Sequence, residues 1–385
     1  VVVEIREYTD DDLDAVVRAR KLAFGPGGDP PPRLVNPGSR GLLAEVDGQV
    51  AGVLGIGEFG QYYGGRAVPM GGVGGVAVAP HARGRGVASG LLDAALRTMR
   101  EHGQSLSVLY ATVPALYRGH GWERAGVYER MEFPMDRLLL SPKATRRLTT
   151  RRATEADLDD LHACYTAVAS TVDGLLDRRA PKFAVADVLK LDVATVAYDE
   201  DGVLRGYLTA DREADRLKVY DVVGEDLDAQ LTLLRELSSW AGVLELVSVR
   251  IADPSFTGLI TSQAMRHRPK VSEWLLRVVD LPAAVAARGW PNAAGLRASA
   301  VDLEITDEHA PWQAGRQRLV VDEGEVRLEP GGTGAVRLQA RALGPWFSGL
   351  QSTHALRRAG LLEGEAPLLD QLTATSGTPR LADFF

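Results

Sequence analysis

The chain has 385 residues, with 44 Lys and Arg against 51 Asp and Glu, for a formal net charge of −7. That length argues for two or three domains rather than one, and the acidic balance excludes a nucleic-acid scaffold while leaving a cationic small substrate unrepelled. Apolar residues make up 45% of the chain, and Cys164 stands alone, so there is no internal disulfide; without a bilayer-length apolar run or a leader pattern, a cytoplasmic setting with no membrane partner is expected.

The first element is announced by "IREYTDDDLDAVV" (Ile5 to Val17). A Thr followed by acidic residues and then an apolar-periodic run marks a helix start, because the hydroxyl and carboxylates satisfy free N–H groups at the positive end of the dipole. The pattern returns at "TRRATEADLDDLH" (Thr150 to His162), where Arg151, Thr154, Asp157, Leu158 and Asp159 match Arg6, Thr9, Asp12, Leu13 and Asp14. A second echo follows each. Asp47-Gly48 sits between apolar runs as a two-residue hairpin signal, and Asp201-Gly202 is read in the same role. Each copy therefore reads strand, helix, hairpin, and the ordered repetition predicts a duplicated unit.

Between the hairpin and the next helix, Gly55-Ile-Gly57-Glu-Phe-Gly60 matches a dinucleotide fingerprint literally. No helix follows it, so it is read as a bulge or turn. Next comes "VAVAPHARGRGVASGLL" (Val76 to Leu92). Val76, Ala77 and Val78 read as a strand, Pro80 cannot continue a ladder, and a helix runs from Val87 to its stop at Gly103. Arg83-Gly84-Arg85-Gly86 then lies over a helix N-terminus, where free N–H groups and the dipole favour an anion, the glycines let backbone approach a ligand, and two arginines add charge. This is a site for a diphosphate. A Walker loop is absent.

"LLLSPKATRRLTT" (Leu138 to Thr150) is polar, basic and broken by Pro142, and marks the boundary between copies. The predicted divisions are 1–142, 143–280 and 281–385. The second copy has only Arg205-Gly206, inside a strand-like run, and no comparable loop. Beyond Leu281 the texture changes to short strand-like runs ("AVDLEITD", "RQRLVVDEG", "EVRLEPGG", "AVRLQARAL") with Gly-rich turns, then helical stretches near Trp346 to Leu356 and Ala366 to Leu372, giving a third, α+β domain.

The Arg-Gly-Arg-Gly junction resembles the acyl-coenzyme A loop of the GNAT acetyltransferases, whose pattern is Gln/Arg-x-x-Gly-x-Gly/Ala. Gly86 falls at the key glycine and Ala88 at the final small residue. Two such units, the second degenerate, followed by an α+β tail that looks like a sterol carrier protein, resemble the Eis (enhanced intracellular survival) family over the whole chain. "YRGHGW", "DLPAAVAARGW" and the terminal "ADFF" stand where that family has counterparts. The resemblance implies an α+β fold, a homo-oligomer (a hexamer) and direct acetyl transfer from acetyl-coenzyme A to a primary amine, with no metal.

By the same resemblance Tyr117 protonates the leaving thiolate and the terminal carboxylate of Phe385 is the base. A free carboxyl at about 3.5 is a weak base, and burial beside the Phe384 and Phe385 rings is expected to raise it. Val76, Ala77 and Val78 pair with the pantetheine, the Val78 N–H polarises the thioester, and Arg83, Gly84, Arg85, Gly86, Val87, Ala88 and Thr112 contact the cofactor. Phe24 and Phe384 are expected at the amine pocket. Family members acting on aminoglycosides place acidic residues just before the terminal Phe and just after the pocket Phe. Here those places lack them, Asp383 lying one step back. The acceptor is therefore an aminoglycoside or another amine such as a polyamine, lysine or peptide Nε group. A rival of a different class is a lipid- or small-molecule-binding protein on a GNAT scaffold. Seven scattered histidines show no metal-ligand spacing, and no Gly-x-Ser-x-Gly elbow is present.

Overall fold

In a computed structural model of the protein, residues 3–25, 33–261, 268–375 and 377–385 are described. The first unit runs β1 (Val3–Glu7), α1 (Leu13–Phe24), β2 (Ser39–Val46), β3 (Gln49–Tyr63), β4 (Arg66–Val78), α2 (Val87–Glu101), β5 (Leu106–Leu109), α3 (Pro114–Gly119) and β6 (Glu123–Pro134). The second runs β7 (Thr149–Arg152), α4 (Leu158–Ala169), β8 (Leu176–Asp177), β9 (Val193–Tyr198), β10 (Leu204–Arg212), β11 (Arg216–Gly224), α5 (Leu227–Ser238), β12 (Leu246–Arg250), α6 (Pro254–Thr261) and β13 (Arg268–Val278). The third domain comprises α7 (Leu281–Ala287), β14 (Ser299–Thr306), β15 (Gly315–Asp322), β16 (Glu325–Pro330), β17 (Val336–Gln339), α8 (Ala340–Phe347), α9 (Thr353–Arg358), β18 (Leu362–Glu363) and α10 (Pro367–Thr373).

The duplicated helix starts are built alike. Asp12 accepts from the Thr9 N–H at 2.9 Å and Asp157 from the Thr154 N–H at 2.8 Å. Each carboxylate is clamped by the arginine six residues earlier, Arg6 at 2.8 Å and Arg151 at 2.6 to 2.7 Å. The hairpins differ. Val46 pairs with Gln49 across Asp47 (φ 52°) and Gly48 (φ 72°), a two-residue turn with both φ values positive. In the second copy Tyr198 pairs with Leu204, so Asp201-Gly202 lies in a longer loop running from Asp199 to Val203, closed by the Asp199 carboxylate accepting from the Asp201 and Val203 N–H groups. The expected two-residue turn is absent there.

Among the described residues one 13-stranded sheet has the order β1-β2-β3-β4-β5-β13-β6-β12-β11-β10-β9-β7, with β8 on β3. The last strand of the second unit, β13, fills a slot in the first. It is antiparallel to both neighbours, Leu276 facing Val108 of β5 and Ser272 facing Tyr128 of β6. In turn β6 pairs with β12, Met131 opposite Val249. A chain division at residue 142 therefore does not divide the sheet. The third domain has its own five-stranded sheet, order β16-β15-β14-β17-β18. Its α8 buries Leu343, Trp346 and Phe347 in one cluster with Tyr63, Trp274 and Leu276 of the large sheet. Fully buried Arg277 bolts the seam: it donates to Asp307 at 2.6 and 2.7 Å and to the His120 carbonyl at 2.9 Å. No helix among the described residues is long and apolar enough to cross a membrane.

The Gly55–Gly60 run is neither loop nor turn but the middle of β3. The bulge is opposite, on β4, where Gly75 and Val76 face a single β3 residue between the Val53–Ala77 and Gly55–Gly74 pairs. Gly75 there adopts φ +61°, which suits glycine.

Candidate active site

Strand β4 is paired with β5 only from Met70 to Gly72, opposite Leu106 to Val108. Beyond that point β4 continues to Val78 with no β5 partner, so the strands part into a wedge. Val76, Ala77 and Val78 form one edge of it, presenting unpaired backbone groups to whatever enters.

At the mouth of the wedge, α2 begins on Gly86 in the left-handed region (φ 79°), and no side chain caps it. Gly84 is also left-handed (φ 75°), and a Cβ at either glycine would meet nothing within 4 Å. Glycine is needed here for backbone conformation, not for room. Arg83 and Arg85 are exposed and have no acidic partner among the described residues. The first-turn N–H groups of Val87 and Ala88, open by the rule of helix ends, complete a cradle for a polyanion.

Tyr117 lies on α3, just past β5, only 6% exposed and edge-on to Trp122 with centroids 6.4 Å apart. Its hydroxyl has no hydrogen-bond partner among the described residues, and burial pushes the phenol above its ordinary pKa. Thr112 is exposed on the segment leading into α3.

The chain's end is held in place by backbone. Val127 donates to the Pro379 carbonyl (3.0 Å), Leu381 to Val127 (2.9 Å) and Arg380 to Asp173 (2.9 Å). Asp383 is paired with Arg178 at 3.0 Å, and its carbonyl accepts from the Tyr110 hydroxyl at 3.0 Å. These contacts deliver Phe385 onto β4. A Cβ at Gly72 would lie 2.5 Å from the Phe385 ring, and one at Gly74 would lie 3.6 Å from its terminal oxygen. The ring packs on Phe59 with centroids 4.8 Å apart. Phe384 differs from expectation: it stacks on Tyr110 at 4.3 Å but stays 71% exposed, so it does not help bury the carboxylate. Phe24, the last residue of α1, is 57% exposed and also stands outside the cavity.

That cavity holds about 390 Å³ and is floored by glycines of β3 and β4, with Phe59 and Phe385 at one side. Four further lining residues, Arg20, Arg33, Arg40 and Lys182, are ones the sequence did not single out. They are spread over two units, and no local pattern joins them. An acidic net charge suggested a surface tolerant of cations, yet the lining described here is locally basic. Sequence spacing also gave no histidine cluster. The fold nevertheless brings Asp93, His120 and His309 within 4.8 Å of one another at the seam with the third domain. His309 Nδ1 hydrogen-bonds Asp93 at 2.7 Å and His120 Nε2 hydrogen-bonds the Ser89 hydroxyl at 2.7 Å, so these side chains already serve one another.

Residues 4–125 match the acetyltransferase (GNAT) domain family, and residues 281–382 match the sterol carrier protein domain. An uncharacterized N-acetyltransferase of Streptomyces coelicolor is 30% identical over 317 residues, covering 77% of this chain and 75% of the relative. A GCN5-related N-acetyltransferase from Kribbella flavida is 28% identical, with a TM-score of 0.83 over 100% of both chains. The chain belongs to the GNAT superfamily of N-acetyltransferases. Along its whole length it has the fold of Eis1 from Mycobacterium abscessus (21% identity, TM-score 0.77, 100% of both chains), with a GNAT domain first and a sterol-carrier-like α+β domain last.

Proposed function

We propose that the protein moves an acetyl group from acetyl-coenzyme A directly to the nitrogen of a primary amine. The observation that carries this is the uncapped start of α2, with Gly84 and Gly86 left-handed, standing at the mouth of the β4–β5 wedge. A scaffold that only held a lipid would have no use for an open anion cradle beside a parted pair of strands.

In this scheme Arg83, Gly84, Arg85, Gly86, Val87 and Ala88 hold the pyrophosphate, Thr112 helps hold the cofactor, and Val76 to Val78 pair with the pantetheine. The Val78 N–H polarises the thioester carbonyl. The Phe385 carboxylate takes the proton of the entering ammonium. The freed nitrogen attacks the thioester carbon, a C–N bond forms as the C–S bond breaks, the Tyr117 phenol gives its proton to the sulfur, and the nitrogen's remaining surplus proton restores that phenol. A phenol raised by burial stays protonated at neutral pH, so it is loaded for donation. Giving that proton to a thiolate near 8.5 then depends on placement rather than acidity. Assembly as a hexamer belongs to the same proposal and is read by light scattering.

The test is thiol release from acetyl-coenzyme A against a panel of primary amines. Removing Phe385, or changing Tyr117→Phe, is expected to lower kcat by about 10²- to 10⁴-fold while calorimetric affinity for the cofactor stays near wild type. Unchanged turnover removes that residue's role. No saturable heat with acetyl-coenzyme A removes the transferase assignment altogether.

A further inference from the structure

The cavity in front of Phe385 is lined by Arg20, Arg33, Arg40 and Lys182, and no Asp or Glu side chain lines it among the described residues. Among the described residues Arg40 is ion-paired with Glu58 at 3.8 Å, and the Arg33 charge acts on Asp10. Lys182 Nζ donates to the neutral Ser39 hydroxyl at 2.6 Å. Desolvation, and then the nearby Arg20 charge, lower the Lys182 pKa from its ordinary value, which is the behaviour of a cation lacking a counter-charge.

Arg20 is placed with care. Its guanidinium lies over glycine: a Cβ at Gly75 would fall 3.0 Å from Nε, and one at Gly55 would fall 3.2 Å from Nη2. Those two glycines keep the floor low enough for the group to lie there. Nη2 reaches the Tyr8 hydroxyl at a long 3.4 Å. Nε is buried without any hydrogen-bond partner. A charged donor left buried without a partner is costly to keep. It is retained at the edge of a cavity in which Lys182 too has no acidic partner among the described residues.

We propose, resting on the transferase assignment above, that the acceptor is an amine tethered to an anionic group, a carboxylate or a phosphate, which Arg20 and Lys182 receive while the amine faces Phe385. The charge pattern suits both ends of such a molecule. The anion supplies counter-charge beyond the single Phe385 carboxylate and a partner for Arg20 Nε. The positive lining also disfavours the protonated state of the entering nitrogen, which must be neutral to attack. A polycation such as an aminoglycoside meets the opposite field. The transfer balances as above: the ammonium gives one proton to the Phe385 carboxylate, the nitrogen exchanges a second for the acetyl group, and coenzyme A leaves as the thiol.

The experiment titrates the full-length protein, with coenzyme A present, against 5-aminopentanoate, ethanolamine phosphate and cadaverine, following heat and, separately with acetyl-coenzyme A, thiol release. The expected result is at least ten-fold tighter binding of one anionic amine than of cadaverine. Arg20→Gln and Lys182→Gln should each weaken that anion at least five-fold without weakening cadaverine. The better of the carboxylate and phosphate arms identifies the anion. Equal affinities, tighter cadaverine, no saturable binding of either anion, or indifference to both substitutions in variants that melt as wild type overturns the assignment. Anion binding without thiol release keeps the pocket and removes the transferase; thiol release with cadaverine as the better acceptor keeps the transferase and removes the anionic acceptor.

Discussion

In the first GNAT unit, α2 starts on Gly86 with no side-chain cap among the described residues, whereas in the second α5 starts on Asp226, whose carboxylate accepts from the Ala229 N–H at 2.9 Å. The helix start that one unit leaves uncapped, the proposed anion position, is filled in the other by the chain's own carboxylate. The wedge shows the same contrast. Strand β11 leaves β12 after the Val219–Val249 pair and runs on to Gly224, as β4 leaves β5. There, however, Arg250 reaches across to the Tyr220 carbonyl and to Asp221, which also binds Arg178. The cavity beside α5, about 590 Å³, is lined by Glu225, Asp226 and Asp253, the first two paired with Arg205 and Arg146. A duplicated fold can thus keep its skeleton while internal charges occupy both the strand gap and the helix start.

The largest expected effect lies at that internal replacement. Burial opposes ionisation of Asp221, but the Arg178 and Arg250 charges outweigh it and hold the carboxyl well below the usual range. Asp221→Asn leaves two largely buried arginines short of a counter-charge and is expected to cost about 3–5 kcal/mol in urea unfolding at neutral pH. Because the folded-state pKa is the lower one, the unfolded chain binds the extra proton on acidification. The stabilisation is therefore complete above about pH 5 and is lost as pH falls through the carboxylate range. The wild-type unfolding midpoint should fall more steeply below pH 4 than that of the variant. A cost under about 1 kcal/mol, or parallel pH profiles, would mean that solvent already carries these charges.

The next effect transplants the second unit's cap into the first. Gly86→Asp sets a carboxylate at the proposed pyrophosphate position, and calorimetry should show at least a hundred-fold loss of coenzyme A affinity. Gly86→Asn imposes similar backbone strain without the charge and is expected to lose less than a tenth as much affinity. Equal losses would assign the effect to backbone alone. The reverse change, Asp226→Ala, should destabilise by about 1 kcal/mol through the lost cap and gain no coenzyme A binding, since Arg250 still fills the gap. The smallest effect separates the twin capping boxes. Arg151→Gln should cost slightly more than Arg6→Gln, both below about 1 kcal/mol because the arginines are largely solvated, with Asp157 the more enclosed carboxylate at 3% against 14%.

What could be read before folding was local. Caps at Thr9 and Thr154 depend on residues three apart, and the strand, glycines and helix around Gly86 are contiguous, so the duplicated fold and its first loop were visible. The slot taken by β13 was not, because its pairing with β5 joins residues more than 160 positions apart and leaves no periodic mark. Nor was the basic cavity. Arg20 and Lys182 come from different units, and whole-chain charge pointed the other way. Phe384 and Phe385 look alike in sequence, yet adjacent side chains of an extended segment face opposite ways, so one enters the cavity and the other remains in solvent.

The insertion of β13 between β5 and β6 also constrains how this gene can change. A fragment carrying only the first unit would present two unpaired strand rims around an empty slot, a template for sticking to other chains, while the second unit alone would trail a strand with nowhere to dock. Recombination that separates the halves would break both of these strand pairings at once, so the two units are expected to work only as one block.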